Sequence, residues 1–137
     1  SSNDAGAYAF ALKHEELMRD IPTVFIPVAE LTTSTNLAIF FKDGSGNEGS
    51  KDTANIMSDA CENLNLKIHK ENTIIGTSSF TPFTVHHFAS CSLGTSKKHI
   101  NKCFSSKDLL SNVSRKTIFD AANILMETTN YYDNARL

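Results

Sequence analysis

Two adjacent histidines, His86 and His87, are the side chains best suited to acid–base or metal chemistry in this sequence. They lie in a stretch, residues 83–93, where apolar and polar residues alternate, and this alternation predicts one long half-buried β-strand. Neighbouring strand residues face opposite sides, so the two imidazoles are not expected to bind one metal ion together. Cys91, on the same face as His87, is about 13 Å away at ~3.3 Å per residue, too far to share an ion. We therefore predict no metal site and no cofactor.

The strand prediction places His87 on the apolar face, where it has two interpretations. In the first, His87 is a core side chain whose ring is satisfied by its neighbours. In the second, His87 lies in a pocket between the sheet and a helix, with walls formed by Phe83, Val85, Phe119 and the adaptable Met57. Because histidine titrates near neutrality, the second interpretation predicts a ligand-binding or pH-sensing role for His87.

The polar face of the same predicted strand carries His86 and Phe88. A phenylalanine among threonine, histidine and serine residues is either covered by a helix or exposed as a contact for another protein. His86 and Phe88 are therefore a candidate partner surface.

Three cysteines, Cys61, Cys91 and Cys103, do not have the spacing of a zinc site. A short strand after residue 98 would bring Cys103 beside Cys91, which predicts a Cys91–Cys103 disulfide. The pair Cys61–Cys91 and three reduced thiols are the alternatives. No cysteine or serine stands in a nucleophile motif, and no glycine-rich phosphate loop leads into a helix. The sequence therefore favours a protein that is not an enzyme.

The other elements follow from hydrophobic periodicity and from turn-forming residues. Helical spacing predicts three helices. One covers residues 5–19, one follows a flexible surface loop at 43–50, and one covers residues 114–129. β-rich runs predict one hairpin from 23–31 and 36–42 and another from 66–70 and 73–77. The predicted core-facing stripe of the last helix is Ile118, Ala121, Ala122 and Leu125.

These elements predict an α+β fold in a single domain, residues 1–137, with residues 1–4 and 130–137 frayed. The order helix-β-β-helix-β-β-β-helix predicts a five-stranded, mainly antiparallel sheet packed by helices. That order is similar to the architecture of profilin-like, longin-type and extracytoplasmic sensor domains. The resemblance lies in element order and involves no shared motif residue, so it implies an architecture and not a function.

Composition narrows the classes of function. The chain has 137 residues and a net charge of −2, and its basic residues do not form the multi-phosphate footprint that nucleic-acid binding needs. No apolar run approaches the ~18 residues of a membrane span. Serine, threonine and asparagine supply much of the polarity, as in many exported proteins. We expect no nucleic-acid partner, no membrane span and an extracytoplasmic (periplasmic or secreted) location, with the cytoplasm as the alternative.

These features favour a non-enzymatic extracytoplasmic binding module that serves a sensory or regulatory signalling complex. Its partner is expected to be another protein, such as a membrane-anchored regulator, or a second copy of the chain, and its ligand a small apolar molecule. Two alternatives remain open. One is a cytosolic longin- or profilin-like adaptor for protein–protein contact, and the other is a small hydrolase or transferase whose site has no recognisable motif.

Overall fold

The computed structural model describes residues 4–29, 31, 36–96 and 114–135 of the chain, which adopt an α+β fold. In chain order the elements are α1 (Ala5–His14), β1 (Val24–Phe25), β2 (Val28–Ala29), β3 (Leu37–Lys42), α2 (Lys51–Asn63), β4 (His69–Asn72), α3 (Thr81–Val85), β5 (Ala89–Ser90), β6 (Ser92–Thr95) and α4 (Arg115–Ala135). α4 continues through part of the segment predicted to fray. None of the described helices is long and apolar enough to cross a membrane.

The strands form a four-stranded sheet in the order β2-β6-β3-β4 and a two-stranded pair, β1-β5. β6 is antiparallel to β3, while the β2–β6 and β3–β4 pairs are parallel. The β1–β5 and β2–β6 pairs share one register, because Val24 faces Ala89 and Val28 faces Leu93. Pro27, between them, has no N–H to donate, but its carbonyl accepts a hydrogen bond from Leu93 N at 3.0 Å. The two pairs are therefore one line of parallel pairing with a break near Pro27.

The prediction of one five-stranded, mainly antiparallel sheet is wrong at both predicted hairpins. β6 lies between β2 and β3, so the runs at 23–31 and 36–42 do not pair with each other. β4 pairs with β3, and residues 73–77 instead approach the loop after β3, where Gly44 N donates to Gly76 O at 2.8 Å. A Cβ at Gly44 would lie 2.5 Å from the carbonyl oxygen of Ile74, so this approach requires glycine. Long-range pairing has replaced both local hairpins.

The main core lies on one face of the sheet, beneath α2 and α4. Its buried side chains are Leu37, Ile39, Phe41, Ala54, Met57, Cys61, Cys91, Leu93, Ala121 and Ile124. On the opposite face, Phe80 at the start of α3 packs against Ala38 and Phe40 of β3. The sheet is thus covered on both faces, by α2 and α4 on one and by the α3 region on the other.

The two long helices differ in how well their apolar stripes match the periodicity. In α2, Met57 and Cys61 are buried, and the helix begins at Ser50, whose hydroxyl accepts a hydrogen bond from Thr53 N at 3.1 Å. In α4 the predicted stripe is wrong in part, because Ile118 and Ala122 are exposed. The buried positions include Thr117 and Thr128 instead, so the face that α4 turns toward the core is not its most apolar face.

The loop between β3 and α2 is organised by the buried carboxylate of Asp43. Its Oδ1 accepts hydrogen bonds from Ser45 N at 2.9 Å and Asn47 N at 2.8 Å. Its Oδ2 accepts from Asn47 Nδ2 and Thr81 Oγ1, both at 2.8 Å. Burial raises the pKa of Asp43, but the hydrogen bonds together outweigh burial, so the net effect is a lowered pKa. Asp43 therefore ties a loop predicted to be flexible to the start of α3.

Replacing Asp43 tests this connection. Asp43→Ala is expected to lower the free energy of unfolding by about 3 kcal/mol, because four accepted hydrogen bonds are lost at a buried site. Since the folded pKa lies below the unfolded value, this contribution is complete above pH about 4 and is lost as the pH falls through the folded pKa. Urea unfolding between pH about 2 and 7 measures both effects. Asp59→Ala, at an exposed position of α2, is the control, and equal stability of the two variants would contradict the assignment.

Cys61 and Cys91 are free, buried thiols of the main core. The Sγ of Cys91 lies 3.3 Å from the Sδ of Met57. The alternative Cys61–Cys91 bridge is therefore wrong, and the predicted Cys91–Cys103 bridge is not found at Cys91, while Cys103 lies outside the described residues. Burial raises the pKa of Cys61 to about 11 and that of Cys91 to about 12. Both sulfurs are thus protonated at neutral pH and poor nucleophiles.

Thiol labelling tests the state of these two cysteines. In a Cys103→Ser variant at neutral pH, Ellman's reagent should leave Cys61 and Cys91 unmodified while the protein is folded, because both are buried and protonated. In urea both should react. Rapid labelling of either residue in the native protein, or failure of both to react after unfolding, would contradict buried free thiols.

Candidate functional site

The segment predicted as one long strand over residues 83–93 is a helix, a turn and two short strands, so that prediction is wrong. α3 precedes the turn at residues 86–88, and β5 begins only at Ala89. Pro82 lies in the first turn of α3, where its missing N–H leaves no helical hydrogen bond unmade. Beside it, Thr81 Oγ1 accepts a hydrogen bond from Ser78 N at 2.9 Å. These helix-start interactions outweigh the apolar–polar alternation that follows.

α3 ends in a Schellman motif whose left-handed residue is His87. His87 N donates to Thr84 O at 3.0 Å, and Phe88 N donates to Phe83 O at 2.9 Å, the two bonds that define the motif. The φ angle of His87 is 68°, in a region that glycine enters without steric cost. α2 ends in the same way at Asn65, with φ of 58°, and asparagine is a common substitute for glycine here. Non-glycine residues with positive φ are uncommon, histidine being one of the types enriched there, and such strained positions often occur at functional sites.

Four phenylalanines hold the turn against α1 and β1. The ring of Phe25 stacks on Phe83, with centroids 4.4 Å apart, and meets Phe88 edge-on at 5.0 Å. Phe10 of α1 contacts the other side of this group, 5.9 Å from Phe25. Offset-stacked and edge-to-face aromatic pairs each add about 0.5–1.5 kcal/mol beyond the area they bury. The aromatic cluster therefore fixes where the turn sits relative to the end of α1.

The turn directs both imidazole rings toward Glu15, which follows the last residue of α1. His86 Nδ1 lies 3.4 Å from Glu15 Oε2, and His87 Nε2 lies 3.7 Å from Glu15 Oε1. The side chain of His86 is 20% exposed and its ring meets Tyr8 edge-on, whereas that of His87 is 86% exposed. In a strand the two rings would point to opposite faces, and the left-handed residue instead brings both to one carboxylate. We call Glu15, His86 and His87 the carboxylate–histidine cluster.

The carboxylate–histidine cluster borders a cleft of about 450 Å³. The cleft lies between the segment after α1 and the turn after α3, and its lining residues are Glu15, Met18, Arg19, Ile21, Pro22, Thr23, His86, His87, Phe88 and Ala89. Arg19 adds a permanent positive charge, and no ion pair within the described residues involves it. Charged and titratable groups thus share the cleft with an apolar wall.

The chemistry of the lining suits binding better than covalent catalysis. Across the ranges that the structure describes, no three His, Cys, Asp or Glu side chains are arranged to hold a metal ion. The lining contains no cysteine or serine, and its one threonine, Thr23, donates its hydroxyl to Ile21 O at 2.8 Å. Nucleophilic catalysis needs an activated nucleophile beside a base. Among these lining residues the histidines have no such nucleophile next to them.

The residues predicted to surround His87 lie elsewhere. Phe83 belongs to the aromatic cluster, Val85 is exposed, and Met57 is fully buried in the main core. Phe119 is 66% exposed on α4. None of these four lines the cleft that contains His87. His87 itself is at the surface and not on an apolar strand face, because it occupies the helix-terminating position.

The predicted partner surface of His86 and Phe88 is also changed. Phe88 is buried, since its ring packs against Phe25, and His86 is mostly covered by Glu15 and Tyr8. Sequence reasoning missed Glu15 and Arg19 as site residues. Glu15 is 71 residues from His86, and no local signal links the two.

A glycine substitution tests the strain at His87. His87→Gly is expected to raise the free energy of unfolding by about 0.5–1 kcal/mol, because glycine adopts positive φ without steric cost and the Schellman bonds are retained. Asn65→Gly, at the equivalent position after α2, is the matched control and should gain less. Chemical denaturation measures both. If His87→Gly instead lowers the free energy of unfolding, the ring contacts of the histidine stabilise the turn and the backbone there is not strained.

No protein-family model matches this sequence, and no curated protein matches it at a significant level. The geometry of the cleft and its carboxylate–histidine cluster is therefore the basis for assigning a function.

Proposed function

We propose that this protein is a binding module that holds a small anionic, amphipathic ligand in the cleft beside the carboxylate–histidine cluster. The observation that supports the proposal most strongly is the convergence of two histidines on Glu15, one of them at a strained backbone position. The proposal keeps the class predicted from the sequence, a non-enzymatic binding protein, and moves the site from a sheet–helix pocket to this cleft. It also changes the expected ligand from apolar to amphipathic.

Charge around the cleft favours an anionic ligand. Glu15 already has two imidazole rings beside it, at 3.4 and 3.7 Å. Arg19, in contrast, has no ion pair within the described residues. A guanidinium group is permanently charged and forms paired hydrogen bonds with carboxylates and phosphates. A carboxylate or phosphate on the ligand would therefore bind beside Arg19.

The rest of the lining favours an apolar portion on the same ligand. Met18, Ile21, Pro22, Phe88 and Ala89 supply hydrocarbon and aromatic surface. A volume of about 450 Å³ lies within the range of about 300–1,000 Å³ that is usual for small-molecule sites. Methionine adapts its shape to ligands because its side chain is unbranched and flexible. A short acyl chain with an anionic head group matches this combination.

The cellular role of the binding module is the one predicted from the sequence. An extracytoplasmic location and service in a sensory or regulatory complex are proposed on composition and element order alone. The predicted disulfide does not support that location, because Cys61 and Cys91 are free. The hydrolase or transferase alternative has less support, since no cysteine or serine lines the cleft.

Calorimetric titration with octanoate, and with neutral 1-octanol as the reference, tests the proposed function. Octanoate is expected to bind more tightly than 1-octanol, because only octanoate carries a charge that can pair with Arg19. Arg19→Ala should weaken octanoate binding about fivefold, and Glu15→Gln should strengthen it by a similar factor, since one charge at a partly exposed site contributes about 1 kcal/mol. Octanol should respond to neither variant.

The control for the histidines is His69→Ala, an exposed histidine on β4. His86→Ala and His87→Ala together should weaken octanoate binding, because both rings line the cleft, whereas His69→Ala should leave it unchanged. Equal affinity for octanoate and octanol, or unchanged octanoate binding in the double variant, would contradict an anion-binding cleft.

A further inference from the structure

The outer face of α4 carries a second apolar stripe that nothing in the described part of the chain covers. Ile118, Phe119 and Met126 are 48%, 66% and 64% exposed, and Ala122 between them is also exposed. The buried side of the helix, which includes Thr117, Ala121, Ile124 and Thr128, packs on α2 and the main core. A helix that is apolar on two opposite sides is expected to be covered on both.

Charges at the two ends of α4 are placed against the helix dipole. Arg115 and Lys116 lie in the first turn, where the positive end of the dipole disfavours cations, and Asp133 lies in the last turn, where the negative end disfavours anions. Lys116 is compensated by Asp120, at 2.6 Å. Within the described residues, neither Arg115 nor Asp133 has an ion pair. An antiparallel second copy of α4 would supply an opposite charge at each end.

The charged and apolar positions share a single line along the helix. At 3.6 residues per turn, Arg115, Phe119, Ala122, Met126 and Asp133 fall on one face, with the two charged residues five turns apart. All five are exposed. The stripe therefore has an apolar centre, a cation at one end and an anion at the other. This arrangement is complementary to itself after a two-fold rotation.

We propose that the protein forms a two-fold symmetric homodimer through antiparallel packing of α4 against α4 of a second copy. Arg115 of each copy then faces Asp133 of the other, at both ends of the contact. The same register sets Met126 of each copy over Ala122 of the other, so that a long side chain meets a short one at the centre. An isologous contact of this kind closes on itself and does not extend into a fibre.

The dimer does not depend on the proposed ligand. No residue of α4 lines the cleft, and α4 covers the sheet face opposite to the α3 region. Both clefts of a dimer would stay open to solvent. One pair of helices about 30 Å long gives a contact at the small end of stable interfaces, so we expect dissociation in the micromolar range.

Sedimentation equilibrium of the full chain over a range of concentrations, without any ligand, tests the homodimer. The wild-type protein should pass from monomer to dimer as concentration rises, and Phe119→Glu should shift the midpoint upward at least about tenfold because it places a charge in the apolar centre. Leu12→Glu is the control, since Leu12 on α1 is 65% exposed, nearly the same as Phe119. It should leave the midpoint unchanged.

A charge exchange tests the register. Arg115→Asp alone and Asp133→Arg alone should each weaken the dimer, because each places like charges together twice, and the double variant should restore it. A monomer at every concentration would overturn the proposal. So would a dimer whose affinity is unchanged by Phe119→Glu, or a double variant that dimerises no more tightly than either single variant. Circular dichroism of each variant confirms that α4 is still folded.

Discussion

The left-handed residue that ends α3 is the constraint on which the candidate site depends. Because His87 takes a positive φ, the chain reverses within three residues and passes into β5. The same reversal brings both imidazoles to Glu15 and places Phe88 against Phe25. One backbone conformation therefore sets the position of the turn, the packing beneath it and the charges above it. Glycine would satisfy the backbone alone, but it would leave the cleft with a single histidine.

Two other interactions hold this turn in register with the rest of the fold. The carboxylate of Asp43 accepts a hydrogen bond from the hydroxyl of Thr81, which links the start of α3 to the loop after β3. The parallel pairing of Val24 with Ala89 fixes the segment after α1 beside the segment after the turn. The cleft is lined by residues of both segments, which this strand pairing joins. The outer stripe of α4 is on the other side of the sheet, away from the cleft.

Local patterns predicted the elements better than their arrangement. The α+β class is confirmed, and the helix predicted after the 43–50 loop is α2, in which Met57 and Cys61 are buried. Alternation over 83–93 failed because helix-start interactions at Thr81 and Pro82 outweighed it. Sheet order failed because β6 inserts between two strands that are close in sequence. The site was missed because Glu15 and His86 are 71 residues apart in sequence, and spacing along the chain does not encode that contact.

Chemical-shift mapping of the isotope-labelled protein with octanoate tests the central claim most directly, because it locates the ligand as well as detecting it. The account predicts that the largest changes occur in the ring signals of His86 and His87, at Arg19 and at Phe88. Changes concentrated on α4 or on residues 73–77 would contradict a binding site at the carboxylate–histidine cluster.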